Sequence, residues 1–286
     1  MAAPKRKLIF DTSAVNKLAA EVNCGAIIHA LGLLYRILMT ETAISEIAAT
    51  RDETRRKALL DVVKRLLAHG DCIMPFNGII EEQAKAYQRD SAGYDWKRLD
   101  LRLPALGEEV ARQEFIHDMS EQIRTEMRER ETQFVDIFRD AKREFPSRFD
   151  SGQPRPSIRE VTEEMMGEGG AHRKTGAGIF ERATGTRITT DQVGNFIERC
   201  PPFRALLVAL CFSQYDRCIR AEQQPSLGKA GRNDMFSAVY LSCCEIFVTN
   251  DNGHCRAMKI VADLTRLDTT VLMYEEFKSG LDVEAS

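Results

Sequence analysis

No sign of charge dominates this chain of 286 residues: 40 lysines and arginines stand against 43 aspartates and glutamates, for a formal net charge of −3. That balance neither demands nor excludes nucleic acid, and a polyanion would have to be held by a local patch or through a metal. Long apolar runs are missing as well. The nearest to a membrane span, Phe203–Phe212, is too short and carries Arg204. The start, MAAPKRKLIF, is basic but lacks the apolar core of a signal peptide. A soluble, cytoplasmic protein with no membrane partner is therefore expected. None of the eight cysteines forms a CxxC pair and several lie inside apolar runs, so buried reduced thiols are expected and a zinc site is disfavoured. The five histidines are scattered; no Ser-His-Asp arrangement is legible, and His254 is expected as a surface turn residue. A phosphate loop is absent too. In GEGGAHRKTGAG, Arg173 precedes the Lys174-Thr175 pair and Glu168 stands where the motif requires glycine. A flexible basic loop is expected over 167–178.

What is present is strand–helix alternation. Lys7–Phe10 is a short apolar run, ended by Asp11-Thr12-Ser13 and followed by a helical pattern through Val15, Leu18 and Ala19. This places a carboxylate at the tip of a first, central strand, with Thr12 or Ser13 available to cap the next helix. Ala26–Leu34 reads as an apolar helix and Tyr35–Met39 as a second strand. Thr42–Ile47 opens another helix, with Glu46 beside Ile44 and Ile47. Asp52–His69 is a charged helix stopped at Gly70, Cys72–Phe76 a third strand, and Ile79–Gln88 a further helix. Repeated alternation over residues 1–90 predicts a parallel α/β sheet.

Between 91 and 226 no strand run is legible. Residues 118–143 read as a charged helix and 146–156 as a loop, while Ser157 with Glu160 and Thr189 with Gln192 have capping-box spacing. Pro201-Pro202 parts two helical runs, the second reaching to about residue 220. The stretch holds 21 basic and 23 acidic residues, so it reads as a helical insertion or cap without overall basic character. Arg173, Lys174, Arg182 and Arg187 are its candidates for nucleic-acid contact, although a solvated face is the commoner fate of such a cluster.

Alternation resumes after residue 229. Asp234–Ser242 has helical spacing, with Phe236, Val239 and Tyr240 on one side and Asp234 in the first turn. Glu245–Thr249 is the β-branched, aromatic run of a buried strand, closed by the turn chemistry of Asn250-Asp251-Asn252-Gly253. Thr269–Met273 gives a last strand and Tyr274–Phe277 starts a terminal helix. In open parallel sheets, ligands gather beyond the carboxyl ends of the strands, and Asp11, Glu46, Asp234 and Asp251 are all assigned to that edge. Singly, each is an ordinary cap or turn residue. Together they repel, and a hard divalent cation, Mg²⁺ or Mn²⁺, accounts for the cluster.

In their order, these pieces resemble the PIN domain, the metal-dependent nuclease fold of toxin ribonucleases and RNA-processing enzymes. The matching stretches are LIFDTSAV, TAISEI, RNDMFSAVYLSCCEIFVTND and TTVLMYEEF. The likeness covers residues 5–90 and 227–280, so a PIN-like unit of 1–90 and 227–286 interrupted by the 91–226 insertion is expected. It implies a five-stranded parallel sheet between helices and an Asp, Glu, Asp, Asp set around one or two metals. Those roles fall on Asp11, Glu46, Asp234 and Asp251, with Thr12 or Ser13 and Thr249 in support. Asp11 and Asp251 are read as direct ligands, Asp234 as ligand or water holder, and Glu46 as orienter or base, with Glu41 its competitor. A cation held there acidifies water and neutralises charge on a scissile phosphate. The resemblance implies an endonuclease, with RNA favoured over DNA on the family alone; an inhibitory protein partner, as in toxin or defence systems, and a homo-oligomer stay open. The rivals are a structure-specific DNA nuclease and a non-catalytic module whose insertion recruits a protein partner.

Overall fold

Leu8, Ile9 and Phe10 are all fully buried, so the first strand needs cover on both of its faces. The computed structural model, which describes residues 4–112, 121–132, 156–216 and 232–284, supplies that cover as two helical layers around a parallel sheet. The strands are β1 (Arg6–Phe10), β2 (Tyr35–Thr40), β3 (Gly70–Ile73), β4 (Ile246–Thr249) and β5 (Thr270–Met273). They lie in the order β3-β2-β1-β4-β5, every pair parallel. The chain works outward from β1 to β3, then returns to the centre and works outward again from β4 to β5. The switch falls between β1 and β4, where Leu8 pairs with Ile246 and Phe10 with Val248. A crevice opens at the carboxyl end of such a point.

The helices before the third strand are α1 (Thr12–Ala19), α2 (Cys24–Leu34), α3 (Glu41–Ala48) and α4 (Glu53–Leu67). After it come α5 (Phe76–Arg89), α6 (Pro104–Arg112), α7 (121–132), α8 (Ile158–Met166), α9 (Ala171–Thr184), α10 (Thr190–Arg199) and α11 (Pro201–Tyr215). The last are α12 (Arg232–Phe236), α13 (Ala238–Leu241), α14 (Asn252–Thr265) and α15 (Tyr274–Glu284). Alternate strand residues divide between two cores. Leu8, Phe10, Ile37, Met39 and Val248 pack with α1–α4 and α15. Ile9, Leu38 and Phe247 pack with α5, α9–α11, α13 and α14. The helices within 156–216 are thus continuous with the core of one sheet face. Aromatic rings bind them to it: Phe196 lies 4.9 Å from Tyr87 of α5 and 4.8 Å from Phe203 of α11, centroid to centroid.

Several expectations need correction. Most of 167–178 is helix, not loop: α9 starts at Ala171 behind Gly170. Its glycine at 176 serves packing, since a Cβ there would sit 3.4 Å from Leu207, Phe203 and Val193. Gly70 does not merely stop α4. It begins β3, where a Cβ would come within 1.6 Å of the Ile37 carbonyl oxygen, and Phe76, expected in that strand, opens α5 instead. The helix expected over 234–242 breaks at Ser237, whose hydroxyl donates to the Asp234 carbonyl at 2.6 Å and so engages a helical acceptor. Both capping boxes form, at Ser157 and at Thr189. Among the described residues of 91–226 no strand appears, only an isolated bridge from Arg102 to Ile73. All but the last residue of the loop expected over 146–156, and parts of the helices at 118–143 and 203–220, lie outside the described residues. The seven described cysteines are free, six of them buried. No described helix is long and apolar enough to cross a membrane.

Helix α9 also buries His172, only 3% exposed and with neither ring nitrogen hydrogen-bonded among the described residues. Burial pushes its pKa down to about 4, against about 6.5 for an unperturbed histidine. The unfolded chain therefore takes up the proton first, and stability is lost as the pH falls from about 6.5 toward 4. His172→Leu should gain about 2–3 kcal/mol on wild type between pH 7 and pH 4.5, read from urea midpoints at each pH. A wild-type-to-variant difference that does not change with pH would contradict the buried, uncharged imidazole.

Candidate functional site

β1 ends at Phe10 and the chain turns at once into α1, leaving Asp11 as the N-cap. Its N–H continues the sheet by donating to the Val248 carbonyl at 3.0 Å, so the carboxylate stands at the switch point between β1 and β4. Oδ1 accepts from Ala14 N and Ser13 Oγ, each at 2.8 Å. Oδ2 accepts from Thr249 Oγ1 at 2.6 Å and faces His254 Nδ1 at 3.0 Å. Across the crevice, Asp251 caps α14 and accepts from the His254 N–H at 2.8 Å. The Asp251 N–H donates to Thr249 Oγ1 at 3.1 Å, and Ser13 Oγ lies 3.1 Å from that same hydroxyl. The wholly buried Thr249 is thus the link between the two acids.

Glu46 arrives on α3. Its Oε2 accepts from Thr12 Oγ1, and its Oε1 from Asn233 Nδ2 at 2.8 Å. Burial raises its pKa, the bonds from Thr12 and Asn233 oppose the rise, and the charges of Asp234 and Asp11 add to it. Its competitor Glu41 accepts from Ser45 Oγ at 2.6 Å and is not part of the cavity wall. Asp234 sits exposed in α12. Asp11, Glu46, Asp234 and Asp251, from four separate segments, line one cavity of about 280 Å³ together with Thr12 and Ser13. None of Arg173, Lys174, Arg182 and Arg187 lines it. Arg173 donates to the Met166 carbonyl at 3.0 Å, and Arg187 pairs with Glu181 at 3.0 Å.

His254 is not a surface turn residue. It is 5% exposed, and its Nε2 lies 2.8 Å from Ser237 Oγ. Its ring meets Phe247 edge-on at 5.6 Å. Burial pulls its pKa down, but the hydrogen bond to Asp11 and the charges of Asp11, Asp234 and Asp251 together hold it above the ordinary value. Sequence spacing contains a signal for it: the residue three after an N-cap aspartate lies in the first turn of α14, and Cβ bonds in a helix tilt back toward the N-terminus. Asn233 and Ser237 carry no motif signal: Asn233 stands between Arg232 and Asp234, and Ser237 is a single hydroxyl in an apolar helical run.

The donor set consists of carboxylate, hydroxyl and amide oxygens with one imidazole, which suits a hard divalent cation such as Mg²⁺ or Mn²⁺. As placed, no group of three or more His, Cys, Asp or Glu side chains among the described residues is arranged to hold a metal ion. Asp11 and Glu46 are satisfied by hydrogen bonds instead, and a cation would have to replace some of them. The chemistry of the set therefore fits a hard cation, while its side-chain placement does not enclose one. No protein-family model, curated protein or solved structure matches the chain.

The Thr249 hydroxyl is the most economical place to probe this network. Thr249→Val keeps the shape but withdraws a donor from Asp11 and the acceptor of the Asp251 N–H. Leaving such groups unpaired costs about 1–3 kcal/mol, so urea unfolding of the metal-free variant should show that loss. A variant as stable as wild type would show that the hydroxyl does not join the two acids.

Proposed function

We propose that the chain is a divalent-metal-dependent phosphodiesterase of the PIN-like type, acting as an endoribonuclease. The observation that carries the reading is the convergence of Asp11, Glu46, Asp234 and Asp251 on one cavity at the switch point of a parallel sheet. Clustered carboxylates are costly without a counter-charge, and this edge is where open α/β sheets receive ligands. Asp11 and Asp251 would hold the cation, with Asp234 as a further ligand or a holder of water. When bound, Mg²⁺ or Mn²⁺ neutralises charge on a scissile phosphate and acidifies water. Thr249 and His254 fix the orientation of Asp11, as hydrogen-bonding partners behind a ligand do. Glu46, gripped at both oxygens by Thr12 and Asn233, would orient water or take its proton. RNA as the substrate and an inhibitory protein partner rest on the resemblance alone.

A second reading has one observation in its favour. Asp11, His254 and Ser237 form a carboxylate–imidazole–hydroxyl chain with links of 3.0 and 2.8 Å, the order found in serine nucleophile triads. Against it, Ser237 Oγ also donates to the Asp234 carbonyl at 2.6 Å, and a hydroxyl has only one proton to give.

Incubating labelled RNAs and DNAs with Mn²⁺ or EDTA separates the readings. RNA cleavage that EDTA abolishes is expected. Asp11→Asn should lower turnover far more than it weakens substrate binding. The loss should exceed the roughly 10–100-fold that follows removal of a partner behind a ligand, whereas Ser237→Ala should stay within that range. Hydrolysis that ignores EDTA and is lost equally in both variants would move the site to the nucleophile reading. Cleavage confined to branched DNA would make it a structure-specific DNA nuclease, and no cleavage of any substrate would leave a binding module.

A further inference from the structure

The opposite edge of the sheet, where the strands begin, carries a second and wider cavity of about 910 Å³, within the range of ligand sites. β1 has five residues, so the two edges are separated by a strand length of about 17 Å. The chemistry proposed for the acidic cavity makes no use of this one. Seven of its lining side chains are cationic and three are anionic, a local imbalance that the overall charge of the chain conceals. Arg36, Arg98 and Arg102 are neutralised by Asp71, Asp95 and Asp100. The side chains of Lys7, Lys97, Arg204 and Arg266 make no ion pair among the described residues, and Glu245 of the same wall accepts from the Lys7 backbone N–H at 2.6 Å.

Two of those four are held there against a cost. Arg266 ends α14 in the left-handed conformation, φ 53° and ψ 47°, and it is the one described non-glycine residue with positive φ. Glycine is the ordinary occupant of such a position, and a side chain there costs about 1–2 kcal/mol. Arg204, half-buried in the first turn of α11, donates through Nη2 to the Thr265 carbonyl at 2.5 Å, while its buried Nε has no acceptor. Burial, with the charge of Arg266 next, lowers the Arg204 pKa. The sealed Nε is out of a ligand's reach, but two cations on one wall without ion-pair partners favour an anion between them. The wall also includes Trp96, the sole tryptophan of the chain, half-buried against the core. An indole and arginines lining one cavity are the pairing that receives a base and its phosphate.

We propose that this cavity binds a nucleotide, its base against Trp96 and its phosphate between Arg204 and Arg266, with Lys7 and Lys97 contributing charge. The nucleotide can be free or one unit of a single strand, and the inference holds whether or not the acidic cavity cuts RNA. Because Trp96 is the only tryptophan, its fluorescence reports on this cavity alone. The full chain, kept in EDTA to suppress metal-dependent cleavage, is titrated with inorganic phosphate, with AMP and with a ten-residue oligoadenylate. Salt-sensitive quenching by AMP or by the oligonucleotide, but not by phosphate alone, is expected. Quenching by AMP marks a free-nucleotide site, and quenching by the oligonucleotide alone marks a strand site. Arg266→Gly removes the cation while supplying the residue its backbone favours, so the fold should survive. It should weaken binding about tenfold and lower the log–log salt slope for the oligonucleotide by about one unit. Lys57→Gln, which removes a cation that lines neither cavity, should bind as wild type does. The proposal is overturned if neither AMP nor the oligonucleotide binds by fluorescence and equilibrium dialysis. It is equally overturned if phosphate binds as tightly as AMP, or if Arg266→Gly leaves affinity unchanged.

Discussion

An ionised carboxylate at the end of a buried strand has to be matched by donors, and Asp11 is matched by Ser13, Ala14, Thr249 and His254. Those residues come from the start of α1, the tip of β4 and the start of α14. Satisfying one charge therefore fixes three chain segments against one another at the centre of the sheet. Ser237, on the far side of the His254 ring, brings the start of α13 into the same network. Such a network is worth more than the sum of its bonds, because each missing partner exposes a buried charge. Thr249 ties the Asp251 N–H to this network, and Ser237 ties the Asp234 carbonyl to it.

The second constraint is cover. β1 and β4 are buried on both faces, and α5, α13 and α14 share one of those faces with α9–α11. The helices of 156–216 contribute to that layer, with Phe196 packed against Tyr87 and Phe203 in the sheet-side core. Gly176 lies in close contact with α10 and α11, where a Cβ would already touch Leu207, Phe203 and Val193 at 3.4 Å. α12, which carries Asp234, follows this layer in the chain, so its packing bears directly on the acidic cavity.

What was legible in the sequence and what was not separates along physical lines. Strand runs such as Leu8–Phe10 and Ile246–Thr249, and the carboxylates that end them, announce themselves because both period and turn chemistry are local. The choice of Glu46 over Glu41 is a matter of which helical face meets the sheet edge, and local pattern leaves it open. His254 was hidden because its partners, Asp11 and Ser237, reach it only through tertiary folding. Gly176 reads as flexibility in a string of small residues, yet it is fixed by neighbours on two other helices. The cationic cavity was illegible for the same reason. Lys7, Trp96, Arg204 and Arg266 share no motif and are gathered only when the turns before β4 and β5 meet the start of β1.

The molecule thus presents two chemically opposite edges: carboxylates where the strands end and unmatched cations where they begin. The central claim is that the four carboxylates act together as one site for one or two divalent ions. Calorimetric titration of Mn²⁺ into chelator-stripped protein addresses it directly, with Asp251→Asn run in parallel. The account predicts saturable binding of one or two ions per chain by wild type, weakened at least about tenfold in the variant. No saturable binding, or the same isotherm for both proteins, would contradict it.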